Sequence, residues 1–364
     1  AAGSALNTAT GVFSAGPSGT AQSFTNATIG ASSVIHVNFG FNFDAIVNVG
    51  NSGPGSLRQF LTNANALGNA GLAQSGRPAG IENAIWMISN GTAAAGLRSA
   101  NNYFTGGVVT IAPTSALPVV SGPVVVDART QPGWTSAPIL ELNGAGAGAS
   151  ANGLSITAGG STVKGLVINR FSAAGIVVTA GGGNTLQGNY IGTNATGSAP
   201  AANGGPGVSI GTSGNTVGGT TAGTDNLISG NAGVGVLVTA GTGNPIETNR
   251  IYANGSLGID LGNNGVTANN GTKNGALPNS DMDTPVFTSV SLNGTTLTVV
   301  GYVGSAAGQS AFANARVEVF KSDNDATGYG EGQVYQGFVT ADASGNLRGA
   351  LAVSGLAVGD QVTG

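Results

Sequence analysis

Cysteine is absent from all 364 residues, which excludes disulfide staples, thiol nucleophiles and thiolate metal sites together. Histidine is almost as scarce. His36 is the single one, inside an alternating segment where a solvent-facing side chain is expected, so neither a hydrolytic triad nor a multi-histidine metal centre can be built. Charge is thin as well, with 7% of residues ionisable, 11 of them basic, and a formal net charge of −4. Scattered basic residues cannot neutralise a run of phosphates, so a nucleic-acid partner is not expected. A chain kept open by self-repulsion would need far more charge than this. No apolar run approaches the roughly 18–20 residues of a membrane helix, so no membrane span is expected. The opening residues do not read as a leader, and Ala1 is expected to begin a mature or excised product.

What is abundant is glycine, 65 residues of it, beside 40% hydrophobic residues. The glycines follow no G-X-Y period, which rules out collagen. Short β-branched runs separated by Gly and Asn predict an all-β chain with many tight turns.

The middle of the chain repeats. LVINRF (166–171), NYIGTN (189–194), NLISGN (226–231) and NRIYAN (249–254) align on Ile168, Ile191, Ile228 and Ile251. Val163, Leu186, Val217 and Ile246 form a second aligned set. Glycine-led strands recur at GLSI (153–156), GIVV (175–178), GVSI (207–210), GVLV (235–238) and GIDL (258–261). The spacing is about 22–23 residues per coil, with insertions SAPAANGGP and GTTAGT in the longer gap. Leucine-rich repeats have a similar period but need a helical arm and a leucine consensus, which are missing here. Three short strands per repeat predict a right-handed parallel β-helix, a single-stranded solenoid in which like residues stack in columns. Asn189, Asn226 and Asn249 fill one repeated position, and Asn194, Asn231 and Asn254 a second. Two readings fit them: turn asparagines in left-handed backbone, or a stacked amide ladder.

The boundaries follow from changes of pattern. Residues 1–45 read as an N-terminal strand segment, either the end of a preceding module or a donor strand, because VIHVNFGFNF (34–43) alternates apolar and polar residues. Residues 46–284 read as the β-helix. Within them VVTIA, LPVV, PVVVDA and ILELN continue the strands upstream. PGSLRQFLTNANAL predicts a capping helix near 55–67, with Ser56 as N-cap and Leu57, Phe60, Leu61, Ala64 and Leu67 on one face. Residues 285–364 read as an Ig-like β-sandwich with hairpins at LNGTTLTV and DASGNLRG, ending early enough that its last strand is expected to be missing.

These residues also resemble a family. GFNFDAIVNVGNSGPGSLRQFLTNANAL, IWMISNGTAAAGLR, NTVGGTTAGTDNLISGN and DATGYGEGQVYQG look like large bacterial surface proteins with right-handed β-helix repeats and Ig-like modules, across most of residues 38–340. The resemblance implies a β-helix at the bacterial cell surface or outside the cell. It brings no shared catalytic residues.

Candidate chemistry is sparse. Parallel β-helices can host polysaccharide lyases and glycosidases, which need paired carboxylates or a base near carboxylates. Asp127, Arg129, Glu141, Lys164 and Arg170 are the candidates, few and isolated, so no enzymatic activity is expected and no catalytic residue is assigned. Calcium is the one cofactor considered, with Asp323, Asp325 and Glu331 in SDNDATGYGEG as ligands and Asp281 and Asp283 as a weaker cluster. Thr162, Thr185 and Thr216 recur once per coil without the regular TxT row of an ice-binding face. The expected role is a secreted surface protein, structural or adhesive, with self-association into a head-to-tail fibre by strand exchange. The alternative is a polysaccharide-binding or polysaccharide-cleaving β-helix with a surface carbohydrate as partner.

Overall fold

The computed structural model describes residues 44–67, 79–92, 101–323 and 329–364. The 34–43 segment with His36, and Asp325, lie outside the described residues.

From Val124 onward each of five coils contributes one strand to each of three parallel sheets. The first sheet runs Ala45–Ile46, Glu82–Trp86, Val124–Asp127, Thr162–Lys164, Thr185–Gln187, Thr216–Gly218, Ile246–Glu247. The second runs Leu154–Ile156, Ile176–Val178, Val208–Ile210, Val236–Val238, Ile259–Leu261, and Val120 of the LPVV stretch joins it only as an isolated bridge to Ile156. The third runs Val108–Ile111, Leu140–Asn143, Leu166–Asn169, Tyr190–Ile191, Leu227–Ser229, Arg250–Tyr252, edged by the short antiparallel Phe104–Thr105. A single left-handed residue makes the corner from first to third sheet: Gly165, Gly188, and in the last coil Thr248, with φ of 70°, 63° and 55°.

Register puts like over like. Ile168, Ile191, Ile228 and Ile251 are direct neighbours in the third sheet, and Val163, Leu186, Val217 and Ile246 in the first. Both columns line one continuous core. Ile246 is only half-buried and Ile259 is exposed, because no further coil covers the last one.

The glycines that open the second-sheet strands, Gly153, Gly175, Gly207 and Gly235, have a steric cause. The last, Gly258, does not share it, since a methyl there would meet nothing closer than 3.5 Å. A methyl group on Gly175 would lie 2.5 Å from Ile191 Cγ2 and 2.6 Å from the Gly207 carbonyl oxygen. The recurring isoleucine and the recurring glycine are therefore one feature: the branched side chain fills the space that a Cβ would need.

At the N-terminal end lies α1, Leu57–Ala66. The Ser56 side chain accepts from the Gln59 N–H at 3.2 Å, a helix N-cap. Leu57, Phe60, Leu61 and Ala64 are buried in the solenoid core. Leu67 differs from expectation: its backbone has left the helix, and its side chain is 45% exposed. Asn65 ties the helix to the first turns, donating to the Val119 carbonyl and accepting from the Ser121 and Gly122 N–H groups. Arg58 donates to the carbonyls of Ser115 and Ala116.

After the solenoid come two three-stranded antiparallel sheets. One holds Pro285–Asn293, Thr296–Val303 and Asn346–Ala352, the other Arg316–Ser322, Gly332–Thr340 and Val362–Thr363. They share a core that includes Leu297, Val299, Phe312, Val319 and Leu347, separate from the solenoid core.

Candidate functional site

The recurring polar residues point inward and pair with each other. In the first ladder, Asn226 Oδ1 accepts from the Asn189 N–H and Nδ2, and Asn249 Oδ1 accepts from the same two groups of Asn226, all within 2.8–3.1 Å. Each side-chain amide also donates to a backbone carbonyl, Val163, Leu186 or Val217. Buried backbone N–H groups at the corner therefore find partners without water, which burial demands.

A second ladder runs Asn203, Asn231, Asn254. Its first rung is Asn203, not Asn194. The insertion that follows Ile191 shifts the register, and Asn194 instead closes the loop by accepting from Ser198 N–H and Thr196 Oγ1. A third ladder, Asn184, Asn215, Asn244, escaped sequence reasoning. Its signal was present in GNTL (183–186), GNTV (214–217) and GNPI (243–246).

The ladders end on side chains from beyond the solenoid. Glu331 accepts from Asn254 through both carboxyl oxygens, at 3.2 Å from its backbone N and 3.4 Å from Nδ2, standing where the next coil would place an asparagine oxygen. Asp323 accepts from the Ala253 N–H at 3.1 Å and Glu318 from the Thr248 N–H at 2.7 Å. Asn279 accepts from the Asn244 N–H at 3.0 Å, while Asn244 Nδ2 is buried without a hydrogen-bond partner. Burial pushes the Glu331 carboxyl up to about 7; the hydrogen bonds from Asn254 oppose this and the nearby Asp323 reinforces it. Two of the proposed calcium ligands thus serve as solenoid ends. Among the described residues, no three His, Cys, Asp or Glu side chains gather in metal-binding geometry.

The other acidic candidates are tied into local structure. Asp283 accepts from the Asn270 and Gly271 N–H groups, and Asp281 from Asn270 Nδ2, stapling the linker. At the opposite end of the molecule, burial first, then the hydrogen bond and negative charge of Asp44, pushes Glu82 up to about 7.

The five residues considered for polysaccharide chemistry fall into two groups on different sheets. On the first, Asp127 holds Arg129 in a bidentate ion pair of 2.7 and 2.8 Å. Lys164 lies beside Asp127 in register, and burial, with the charge of Arg129 adding, pulls its ammonium group below the usual range. On the third sheet, Glu141 accepts from Thr110 Oγ1, Asn169 Nδ2 and Arg170 Nη1 at 2.7, 2.8 and 3.1 Å. Each carboxylate is occupied by its own partners.

Stacked in-register coils, three parallel sheets and inward amide ladders define a parallel β-helix. Residues 152–299 match a protein-family model described as a right handed beta helix region. That family includes pectate lyases and hydrolases as well as proteins without catalytic activity, so the match speaks to architecture. No solved structure matches the chain. Among the described residues, no helix is long and apolar enough to cross a membrane.

Proposed function

We propose that this chain is a structural or adhesive module of a secreted, bacterial cell-surface protein. It consists of a β-helix closed at its N-terminal end by α1 and at its C-terminal end by an Ig-like sandwich. The observation that carries the reading is where the polar chemistry goes. Ladder asparagines satisfy the core, three carboxylates from the sandwich satisfy the last coil, and the remaining ion pairs are self-contained. A groove enzyme keeps carboxylates available to substrate, and here Asp127 and Glu141 are engaged on separate sheets. A solenoid terminated at both ends is also protected from edge-to-edge association through those ends.

The test is a screen of the full chain against acidic and neutral polysaccharides, beside the D127A and E141A variants. The expected result is no cleavage by any of the three proteins. Turnover by the full chain that disappears in either variant would replace this reading with the polysaccharide-cleaving one. Retention on a polysaccharide column without turnover would specify the adhesive form.

A further inference from the structure

Lys164, Lys273 and Lys321 are the lysines of this chain, and each has a different setting. Lys321 is bound to Asp360 in an ion pair of 2.8 Å. Lys273 is exposed, its ammonium group 5.4 Å from the centre of the Phe312 ring. The ammonium group of Lys164 is half-buried and enters no ion pair or hydrogen bond among the described residues.

The register of the first sheet explains why. Val163 faces the core, so Thr162 and Lys164 on either side of it face outward. Asp127 is the in-register neighbour of Lys164 in the preceding coil, and Gln187 in the following one. Asp127 is the natural counter-ion, but its carboxylate is taken. Arg129 donates to one oxygen from Nε at 2.8 Å and to the other from Nη2 at 2.7 Å, and its backbone N–H adds a bond of 3.0 Å. The corner glycine makes room for this. A methyl on Gly165 would lie 2.8 Å from Arg129 Cγ, so the arginine stem crosses over the residue that follows Lys164. On the other flank Gln187 turns its amide nitrogen away, to the Gly218 carbonyl at 2.8 Å. Two cations thus face one carboxylate, and the bidentate pair leaves the lysine as the surplus charge.

Burial and the charge of Arg129 both disfavour the protonated form of Lys164, and the nearby Asp127 offsets them in part. More of this amine than of an ordinary lysine is therefore unprotonated near neutral pH, and the unprotonated amine is the nucleophile. Asp127 is engaged and cannot assist the expulsion of an alkoxide. The electrophile that suits such an amine is an aldehyde, whose condensation releases water, rather than an ester.

We propose that Lys164 is a covalent modification site, a nucleophilic amine on the outer face of the first sheet that captures aldehydes as an imine. The ammonium group first loses a proton to solvent. Nζ then attacks the carbonyl carbon, and its two remaining hydrogens leave with the carbonyl oxygen as water, so that C=N replaces C=O. An imine nitrogen is less basic than an amine, so the product is uncharged beside Arg129, and one cation is left facing one carboxylate. This inference goes beyond the structural reading above and does not depend on it.

The experiment treats the folded full chain with glycolaldehyde and cyanoborohydride at pH 7, which fixes each imine as a stable secondary amine. Peptide mass mapping then follows each lysine separately. Lys164 is expected to be labelled at least about threefold faster than the exposed Lys273, and the difference should vanish in guanidinium chloride. R129Q, checked for folding by circular dichroism, frees Asp127 to pair with Lys164 and should slow labelling there to the Lys273 rate or below. K164R should lose the fast adduct and no other. Labelling of Lys164 no faster than of Lys273 in the folded chain, or a difference that survives unfolding, would overturn the proposal without recourse to any variant. A folded R129Q that labels as fast as the parent would also overturn it.

Discussion

Replacing Asn226 by Ala tests the ladder at its middle rung. The substitution removes four hydrogen bonds: two accepted from Asn189 and two donated to Leu186 O and Asn249 Oδ1. Some neighbours keep a partner, since Asn189 Nδ2 still reaches Val163 O and Asn249 Oδ1 still accepts from the residue-226 N–H. The Asn189 N–H does not, and it is buried. An orphaned buried backbone donor costs about 1–3 kcal/mol, and each further lost hydrogen bond about 1 kcal/mol. The expected loss is therefore about 4–6 kcal/mol. Asn194→Ala is the control, because that side chain also accepts several hydrogen bonds, but from exposed groups that water can satisfy. Its cost should stay below about 1 kcal/mol. Urea unfolding monitored by circular dichroism reads both, as a shift in midpoint at constant slope. Losses within about 1 kcal/mol of each other would mean that the stacked amides contribute no more than turn asparagines do, and the ladder reading would be wrong.

Two further outcomes follow from the same geometry. Gly207→Ala would bring a methyl to within 2.5 Å of Ile228 Cγ2 and 2.8 Å of the Gly235 carbonyl oxygen; overpacking of this kind should cost about 1–3 kcal/mol by the same assay, and a neutral result would contradict the interlocked glycine and isoleucine columns. Glu82 and Glu331, whose ordinary value is 4.5 and which are pushed up to about 7 in the fold, hold protons that the unfolded chain releases between those values. The folded state binds the extra protons, so stability should fall as pH rises across that window. The undiscounted shift corresponds to roughly 3 kcal/mol for each carboxyl, and solvent screening reduces the fall to something on the order of 1–2 kcal/mol. E82Q and E331Q should each flatten the fall in melting temperature between about pH 5 and pH 8, and a rise over that range would refute the assignment.

The coil was legible because its determinants are local and periodic. A glycine that must lack a Cβ, an isoleucine that fills the gap, and an asparagine at the corner recur within one coil of each other. Stacking then converts sequence spacing directly into spatial contact. The ladder that begins at Asn203 was misread at Asn194 for a related reason: an insertion preserves the motif locally while moving the stacked position nine residues along. Sequence alignment on Ile191 cannot reveal which asparagine returns to the column. The junction was illegible on different grounds. Glu318 meets Thr248 across 70 residues and Glu331 meets Asn254 across 77. An acidic, glycine-rich loop has the same composition whether its oxygens face a cation or a row of backbone N–H groups. Only the proximity of the last coil reveals that those N–H groups are there to be met.

A β-helix has no internal reason to stop, since each coil leaves the next row of N–H and C=O groups and ladder amides unpaired. This chain ends the series by substitution. Glu331 supplies to Asn254 the oxygens that a further asparagine would have supplied, and Glu318 serves the left-handed Thr248 corner. At the other end Asn65 accepts from two backbone N–H groups of the opening turns and donates to a carbonyl, as a neighbouring strand would. In a protein with so few charges, placing three carboxylates against one coil is a costly use of burial unless the groups they meet would otherwise be orphaned donors.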